Sequence, residues 1–307
     1  MPPAPDARPL LRQLTPGPSD QRTVLIHPGG LSSAHYRPLA ATLAARSTPY
    51  LVDLDALPQF VSAARHGGAA DLSWIADAVT AVLDAHHLLD PRTTLGGWSA
   101  GGTLAYAVAA GLPPPRRPGL LVLLDSLPPW SDTRHDAIED TAALLPVFGR
   151  YLAARAGVPA PDPDAIRPAT PPGQEEPNTH DQWLWGLRQA ALAVGALDED
   201  VSLPGLRKVF QSYRWGLLRN RRIGAGVTPG TLTTPTTLVR ARTSIIPDAD
   251  VPGWRAVPHL RTVLVPGDHY TMLTEPASVE LVSAELVRAG PTQDIPTARD
   301  PLRLGPR

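Results

Sequence analysis

The sequence predicts an α/β fold with a mostly parallel central sheet, helices on both faces of the sheet, and an inserted helical lid. Two observations lead to this prediction. Short apolar strand patterns alternate with helical patterns along the chain, and a block of helical patterns interrupts that alternation. Strands separated by helices are expected to run parallel, because a parallel pair needs a long crossover connection. Hydrophobic residues make up 43% of the 307 residues, which is enough for a sizeable core.

The predicted strands are short apolar runs that end in a loop or a sharp turn. They belong to the segments 23–30, 49–56, 93–112, 119–130, 234–243 and 260–273. The third of these segments continues past its turn into an alanine-rich helix. Helical spacing is found between the strands at 36–47 and at 73–88, where Ile75, Val79 and Val82 share one face. This order indicates a sheet that is covered on both sides.

The interval from about 131 to 230 does not follow the strand–helix alternation. It carries helical patterns at 136–156, 181–196 and 204–220. The proline-rich run 159–179 cannot hold a regular helix, because proline lacks an N–H donor, and it is predicted to be a mobile loop. Ligands of open α/β sheets bind at the carboxyl ends of the strands, so the insertion is predicted to form a lid there.

The predicted domain covers residues 22–290, between a proline-rich lead-in at 1–21 and a flexible tail at 291–307. The 28 Lys and Arg balance the 29 Asp and Glu at a net charge of −1, which gives no reason to expect binding to nucleic acid or to an anionic membrane. No apolar run approaches the roughly 18 residues of a membrane span, and the N-terminus lacks the apolar stretch of a signal peptide. A cytoplasmic protein is therefore expected.

The strongest chemical signal is a G-x-S-x-G motif at residues 97–101, which read Gly-Trp-Ser-Ala-Gly. The motif follows a strand pattern and opens a helix, which is the context of a nucleophile elbow. Its glycines allow the strained turn that exposes the serine hydroxyl above a sheet. Ser99 is therefore the predicted nucleophile, and a plain Gly/Ser turn is the alternative. The absence of cysteine excludes disulfides, thiolate metal sites and a cysteine nucleophile.

A serine nucleophile needs a base, and His269 is the predicted one. It follows an apolar run near the C-terminus, where the order Ser, Asp, His of α/β-hydrolases places the base. His27 follows the first strand and is expected to be structural. The remaining histidines considered for this role are expected to be exposed: His86, His87, His135 and His180.

The acid that orients the base should stand on a loop after a strand. Asp125 ends the apolar run of the strand unit that follows Ser99, and it is the predicted acid. Its alternative role is to cap the strand end in an Asx turn. Asp248 and Asp250 are the rival acids, because they follow the strand pattern at 234–243.

Backbone N–H groups should stabilise the oxyanion of such an enzyme. One donor is expected from Ala100, the residue after the nucleophile, and the other from the loop after the first strand. Within that loop Gly29 is the first choice, with Gly30 and Leu31 as alternatives.

The motifs, in their order along residues 23–285, resemble the thioesterase domain that ends nonribosomal peptide and polyketide synthase lines. The segments that carry the resemblance are VLIHPGGLSSAHYRPLA, GGWSAGG, LLDSLPP, VFQSYRWGLLRN followed by TTLVRA, and GDHYTML. The match is weakest through 131–200. The resemblance implies a triad of Ser99, Asp125 and His269. Trp98 resembles the product-releasing domains, whereas discrete proofreading thioesterases more often have histidine there and place the acid one strand later.

The implied activity is acyl transfer in secondary metabolism, including antibiotic biosynthesis. A chain bound as a phosphopantetheine thioester to an acyl or peptidyl carrier protein, or to an upstream synthase module, would move to Ser99. It would then leave to water, or to an internal nucleophile by macrocyclisation. No metal or other cofactor is expected. The alternatives are a free-standing type II editing thioesterase, an esterase for a small molecule, and a hydrolase-like scaffold without turnover.

The sequence offers four tryptophans as residues that line an acyl pocket. They are Trp98, beside the nucleophile, and three residues of the insertion, Trp183, Trp185 and Trp215. For the latter three, packing within the lid is the alternative interpretation.

Overall fold

The computed structural model describes residues 9–18, 20–65, 72–128, 140–173, 178–223, 232–246, 253–258 and 260–288. Seven strands in this part of the chain form one sheet in the order β1-β3-β2-β4-β5-β6-β7. The strands are β1 (Leu11–Gln13), β2 (Arg22–His27), β3 (Thr48–Asp53), β4 (Thr93–Trp98), β5 (Leu120–Leu124), β6 (Thr236–Thr243) and β7 (Leu260–Asp268). All neighbouring strands pair in parallel except β1, which is antiparallel to β3.

Eight α-helices accompany these strands in the described ranges. They are α1 (Arg37–Leu43), α2 (Pro58–Arg65), α3 (Leu72–Ala85), α4 (Ala100–Gly111), α5 (Thr141–Ala156), α6 (Thr179–Ala193), α7 (Leu203–Ile223) and α8 (Pro276–Leu286). The alternation of strands and helices confirms the predicted α/β fold. None of the described helices is both long and apolar enough to cross a membrane.

The sheet separates two apolar cores, and β5 shows how. Every residue of β5 is buried, because helices cover both faces of the sheet. Leu121 and Leu123 pack in the core that includes α3 and α4, whereas Leu120, Val122 and Leu124 pack in the core that includes α1, α8 and the insertion. Successive side chains of a strand point to opposite faces, so one apolar run contributes to both cores.

The sheet begins earlier in the chain than predicted. Leu11–Gln13 pairs with Tyr50, Leu51 and Val52 of β3, although the segment 1–21 was expected to be an extended lead-in. Leu11 is buried in the core on the side of α3 and α4. Residues 9–18 therefore belong in part to the folded domain, and residues 1–8 and the predicted tail at 291–307 lie outside the described residues.

The predicted insertion is present as α5, α6 and α7, which lie between β5 and β6. Asp140 begins α5 by accepting hydrogen bonds from the N–H groups of Ala142 and Ala143, and Gly157 ends it in the left-handed conformation. The apolar faces of α5, α6 and α7 extend the core on the side of α1 and α8. Because the insertion follows β5, it leaves the sheet at the carboxyl end of a central strand.

The proline-rich run between α5 and α6 lacks a regular α-helix, as predicted, but its described part packs against α6. Ile166 is buried, and the N–H of Ala169 donates to the carbonyl of Gln182 at 3.0 Å. A β-carbon at Gly186 would lie 1.7 Å from the carbonyl oxygen of Arg167, so the run passes directly over that glycine. The described part, 159–173, is therefore packed at these points, the expectation of a mobile loop stays a prediction, and 174–177 lie outside the described residues.

Candidate active site

Ser99 stands on a sharp turn between β4 and α4. Its φ of 56° and ψ of −127° are strained for a residue with a side chain. A β-carbon at Gly97 would lie 2.2 Å from the backbone of Gly101, and one at Gly101 would lie 2.1 Å from the carbonyl oxygen of Ile26. The two glycines of the motif therefore allow the close backbone approach that this turn requires. This is the geometry predicted for a nucleophile elbow.

Asp125 and His269 meet at the carboxyl edge of the sheet, where β5 and β7 end. The Nδ1 atom of His269 lies 2.7 Å from Oδ2 of Asp125, and both side chains are buried. The carboxylate accepts here, so Nδ1–H of His269 is the donor, and in this tautomer Nε2 is the nitrogen available as an acceptor. The pair has the arrangement of a base and its orienting acid.

Two further groups hold the carboxylate of Asp125, and sequence reasoning missed both. The N–H of Ala241 donates to Oδ1 at 3.3 Å, and the hydroxyl of Ser244 donates to Oδ2 at 2.8 Å. The Ser244 hydroxyl in turn accepts from the N–H of Ile246. Ser244 directly follows β6, so it lies at the carboxyl edge of the sheet, as Asp125 does. This position after a strand was the one feature of the sequence that could have indicated the contact.

Trp98 contacts His269, the predicted base. Its Nε1–H donates to the carbonyl of His269 at 2.8 Å, and its ring lies 4.9 Å from the imidazole. Only 3% of Trp98 is exposed. Trp98 is predicted to bind substrate; the structure places it on the cavity wall, where it also contacts His269, Tyr270 and His27.

Tyr270, the neighbour of the base, is bonded to the insertion. Its hydroxyl lies 2.5 Å from that of Tyr213 on α7. Burial raises the pKa of both phenols, so both stay neutral and the bond is one between two hydroxyls. The loop that carries His269 and Tyr270, called the base loop below, therefore contacts the end of β4 through Trp98 and α7 through Tyr213.

A cavity of about 460 Å³ joins the predicted nucleophile and base. Ser99 and His269 line it, as does the loop 28–31 after β2. The side chains of the insertion that line it come from α5 and α7 and include Tyr151, Arg155, Lys208, Tyr213, Trp215 and Arg219. The insertion therefore contributes both aromatic and cationic side chains to the wall of the cavity.

The loop after β2 has the backbone expected of an oxyanion loop. Gly29 and Gly30 have φ values of 78° and 90°, in the region that favours glycine. A β-carbon at Gly29 would lie 2.3 Å from the carboxylate of Asp55. The loop lines the same cavity as Ser99, and Ala100 is the first residue of α4. The donor roles of Gly29 and Ala100 stay predictions.

The insertion tryptophans divide into two groups. Trp215 lines the cavity, as predicted. Trp183 and Trp185 lie on α6, are partly buried against the core, and are absent from the described lining of the cavity. The guanidinium of Arg188 lies 4.9 Å from the ring of Trp185. The structure thus supports packing rather than substrate contact for these two residues.

The other candidate residues are placed as follows. His86 and His87 are exposed, as expected. His180 is half-buried, and its Nδ1 lies 3.2 Å from the hydroxyl of Thr141. The rival acids Asp248 and Asp250, together with His135, lie outside the described residues.

His27 is buried beside the loop 28–31, called the glycine loop below. Its Nε2–H donates to the carbonyl of Leu31 at 3.0 Å. Burial lowers the pKa of His27, although Asp53 and Asp55 oppose this effect, so the ring is neutral. Ligand atoms of His27, Asp53 and Asp55 come within 4.8 Å of one another, and these three residues could hold a divalent cation. The predicted chemistry at Ser99 uses none.

The family model described as the thioesterase domain matches residues 21–159. No curated protein matches the chain in sequence. The match confirms the resemblance predicted from the motifs, and it spans β2 to α5, including Ser99 and Asp125.

Solved structures share the fold at low identity. A four-domain nonribosomal peptide synthetase, AB3403, is 23% identical with a TM-score of 0.57, and the match covers 90% of this chain and 20% of the synthetase. The RedJ thioesterase of the prodiginine pathway in Streptomyces coelicolor is 20% identical with a TM-score of 0.54, covering 94% and 96% of the two chains. The Vlm2 thioesterase domain, solved with a dodecadepsipeptide, is 18% identical with a TM-score of 0.53, covering 92% and 98%. This chain thus spans a fifth of the synthetase and nearly all of the other two.

Proposed function

We propose that this chain, whose residues 21–159 match the thioesterase domain, is a serine thioesterase that releases an acyl or peptidyl chain from the phosphopantetheine arm of a carrier protein. The observation that carries the proposal is the bond between Asp125 and His269 beside a cavity that also contains Ser99. The proposed setting is polyketide or nonribosomal peptide biosynthesis in the cytoplasm, with a carrier protein or an upstream synthase module as partner.

In the first step, Nε2 of His269 takes the proton of the Ser99 hydroxyl as its oxygen attacks the thioester carbonyl. The tetrahedral intermediate then expels the pantetheine sulfur, which takes this proton from the imidazolium and leaves as a thiol. Asp125 keeps the imidazole in the required tautomer and stabilises its positive charge. The product of this step is an ester between the acyl chain and Ser99.

The oxyanion of the intermediate is stabilised by the N–H groups of Ala100 and Gly29 in this proposal. Removal of one such donor in serine hydrolases costs about 3–4 kcal/mol of transition-state stabilisation. The first turn of α4 adds the positive end of a helix dipole at Ala100.

In the second step, His269 removes a proton from the group that attacks the ester, and it returns this proton to the Ser99 oxygen as the ester bond breaks. Water gives a free acid, and an internal hydroxyl or amine gives a macrocycle. We propose that the insertion acts as a lid, since α5 and α7 form one wall of the cavity and its aromatic side chains limit the space for water. Macrocyclisation is the preferred outcome in this proposal.

The experiment is an intact-protein mass measurement after incubation with an acyl-pantetheine thioester. We expect a gain equal to the acyl group in the wild type and none in Ser99→Ala, with the Ser99→Ala protein folded as judged by circular dichroism. An adduct on Ser99→Ala, or turnover by that variant near the wild-type rate, would contradict the serine mechanism.

A comparison of substrates separates the proposal from its alternatives. A carrier-bound thioester should react faster than the same acyl group on free pantetheine or as a simple aryl ester. Only the carrier-bound substrate includes the carrier protein, whose contacts with the enzyme would aid binding. Equal rates with the aryl ester would favour an esterase. A wild type without any adduct would favour a scaffold without turnover.

A further inference from the structure

The insertion is hydrogen-bonded to the glycine loop at two backbone carbonyls. Arg219 of α7 donates from Nη2 to the carbonyl of Pro28 at 3.0 Å. Tyr151 of α5 donates from its hydroxyl to the carbonyl of Gly30 at 3.0 Å. These contacts join residues that are 191 and 121 positions apart in the chain. Two helices of the insertion, α5 and α7, therefore bind the backbone of the loop.

Each of these carbonyls shares a peptide group with a candidate oxyanion donor. The carbonyl of Pro28 and the N–H of Gly29 belong to one peptide, and the carbonyl of Gly30 and the N–H of Leu31 belong to another. Cis peptide bonds are absent from the described residues. In a planar trans peptide the C=O and N–H point in opposite directions, so a bond that fixes the carbonyl also fixes the N–H.

The loop needs such support because its own backbone is permissive. Gly29 and Gly30 both have positive φ and no side chain to restrict rotation of the adjoining peptides. His27 holds the next carbonyl, that of Leu31, from beneath the loop. Without Arg219 and Tyr151, the peptides on either side of the glycine pair would lose the described bonds to their carbonyls.

Arg219 is built into the structure as a fixed group. Only 5% of the residue is exposed, and its guanidinium lies 3.6 Å from the ring centre of Phe60. Its Nη1 donates to the carbonyl of Phe60, and its Nε and Nη2 donate to Oδ1 of Asn220. Burial lowers the pKa of Arg219 to about 10, so the group stays charged at neutral pH. Hydrogen bonds from a charged donor are about twice as strong as neutral ones.

Tyr151 is fixed by aromatic packing. The residue is 8% exposed, and its ring lies 4.8 Å from that of Tyr213 and 5.8 Å from that of Phe148. Tyr213 in turn is bonded to Tyr270, beside the base. The same group of insertion side chains therefore reaches both the glycine loop and the base loop.

We propose that Arg219 and Tyr151 are positioning residues that orient the peptides carrying the proposed oxyanion donor Gly29 N–H and its alternative Leu31 N–H, and so make the loop's part of the oxyanion hole depend on the placement of the helical insertion. This inference rests on the proposed function, since it assigns a role within the same reaction. It follows that displacement of α7 and α5 from the sheet would remove the described bonds to the carbonyls of Pro28 and Gly30.

The test uses Tyr151→Phe, which removes one hydroxyl, and Arg219→Met, which keeps most of the apolar stem. The controls are Tyr50→Phe on β3 and Arg116→Met at a surface ion pair with Asp84. For each protein, kcat and KM are measured with one acyl-pantetheine thioester. The inhibition constant of an alkyl boronic acid is also measured, because its adduct with Ser99 places an oxygen where the oxyanion forms.

We expect kcat to fall about 10-fold in Tyr151→Phe and about 100-fold in Arg219→Met, since loss of a whole donor costs about 100-fold to 1000-fold. KM should change less than about 3-fold. Boronate affinity should weaken by the same factor as kcat/KM, and Arg219→Lys, which keeps a charged donor, should recover part of the loss. The two controls should match the wild type.

Unchanged kcat and boronate affinity in Tyr151→Phe and Arg219→Met would overturn the positioning role. So would a fall in kcat without a matching loss of boronate affinity. If Arg219→Met does not fold, Tyr151→Phe decides the matter, because it leaves the ring in place. A wild type that forms no Ser99 adduct would instead overturn the proposed function, and that result is distinguishable from these.

Discussion

Asp125 is the residue whose surroundings say most about the site. Its carboxylate is buried, and it accepts hydrogen bonds from Ala241, Ser244 and His269, which come from the ends of two later strands. Its own φ of 46° is unusual for a residue with a side chain. A strained backbone and three donors are features of a carboxylate held in one orientation rather than of a simple strand cap.

We expect Asp125→Asn to lower kcat by about 10⁴-fold, because an amide stabilises the wrong tautomer of the base, as in the triad of serine proteases. Asp248→Asn should stay near the wild-type rate. Both are measured as turnover of one acyl-pantetheine thioester, with circular dichroism to check folding. The reverse pattern would mean that the acid lies after β6, and the similarity to product-releasing domains would then lose its support at this position.

Residues that act through a local motif could be predicted from the sequence, and residues that act through distant contacts could not. The sequence around Ser99 contains the glycines that its turn requires, and His269 follows a recognisable strand. Ser244 lies outside the quoted motifs, and Arg219 lies within VFQSYRWGLLRN but was assigned no role from it. Their roles depend on which strand end or loop the folded chain brings beside them, 119 and 191 residues away.

At the scale of elements, the turn from β4 to α4 depends on close backbone contact. Gly101→Ala places a β-carbon 2.1 Å from the carbonyl oxygen of Ile26, which is part of the sheet and cannot move freely. Gly111, at the end of the same helix, has no atom within 4 Å of the corresponding position. The same substitution should therefore have opposite effects at the two ends of α4.

We predict that Gly101→Ala lowers the free energy of unfolding by about 3 kcal/mol, in the range of severe overpacking. Gly111→Ala should leave it unchanged or raise it by up to about 1 kcal/mol, since alanine is the better helix residue. Urea denaturation monitored by circular dichroism measures both. Equal effects of the two substitutions would show that the contact with Ile26 does not constrain the elbow.

Strand and helix positions could be predicted well wherever periodicity was strong. The helices of the insertion begin and end close to their predicted bounds, and β5 follows its apolar run. The strand β1 was missed because three residues within a proline-rich segment carry little pattern. The packing of 159–173 was missed because it depends on one buried side chain, Ile166, and on the space above Gly186.

At the scale of the whole molecule, His27 links global stability to pH. Burial lowers its pKa below the ordinary value of 6.5, so the unfolded chain binds the proton more readily than the folded one. The contribution of His27 to the free energy of unfolding is therefore greatest at a pH above 6.5, its pKa in the unfolded chain, and falls as the pH drops below about 6.5. We predict that His27→Gln reduces the slope of unfolding free energy between pH 7.5 and 5.5, and that the exposed His86→Gln does not. An unchanged slope in His27→Gln would assign the acid sensitivity to other groups.

The cavity that contains Ser99 is shared by two layers of the molecule. The sheet supplies the proposed reacting groups, and the insertion supplies the wall of α5 and α7. The segment 159–173 joins α5 to α6 and is packed through Ile166 and across Gly186. The segment therefore packs behind the helices of the insertion without itself contributing to the described lining of the cavity.

Replacement of 159–179 by a short Gly-Ser link should raise the share of hydrolysed product. The physical reason is that the link removes Ile166 from the core and frees α6, which lets water reach the ester on Ser99 before the bound chain folds back on itself. The measurement is the ratio of cyclic to linear product from one carrier-mimic thioester, for the wild type and for the shortened protein. Ile166→Ala should shift the ratio in the same direction by less, because it loosens the packing while keeping the chain length. If the wild type yields only linear acid with every long substrate, release by hydrolysis remains and the proposed cyclisation fails.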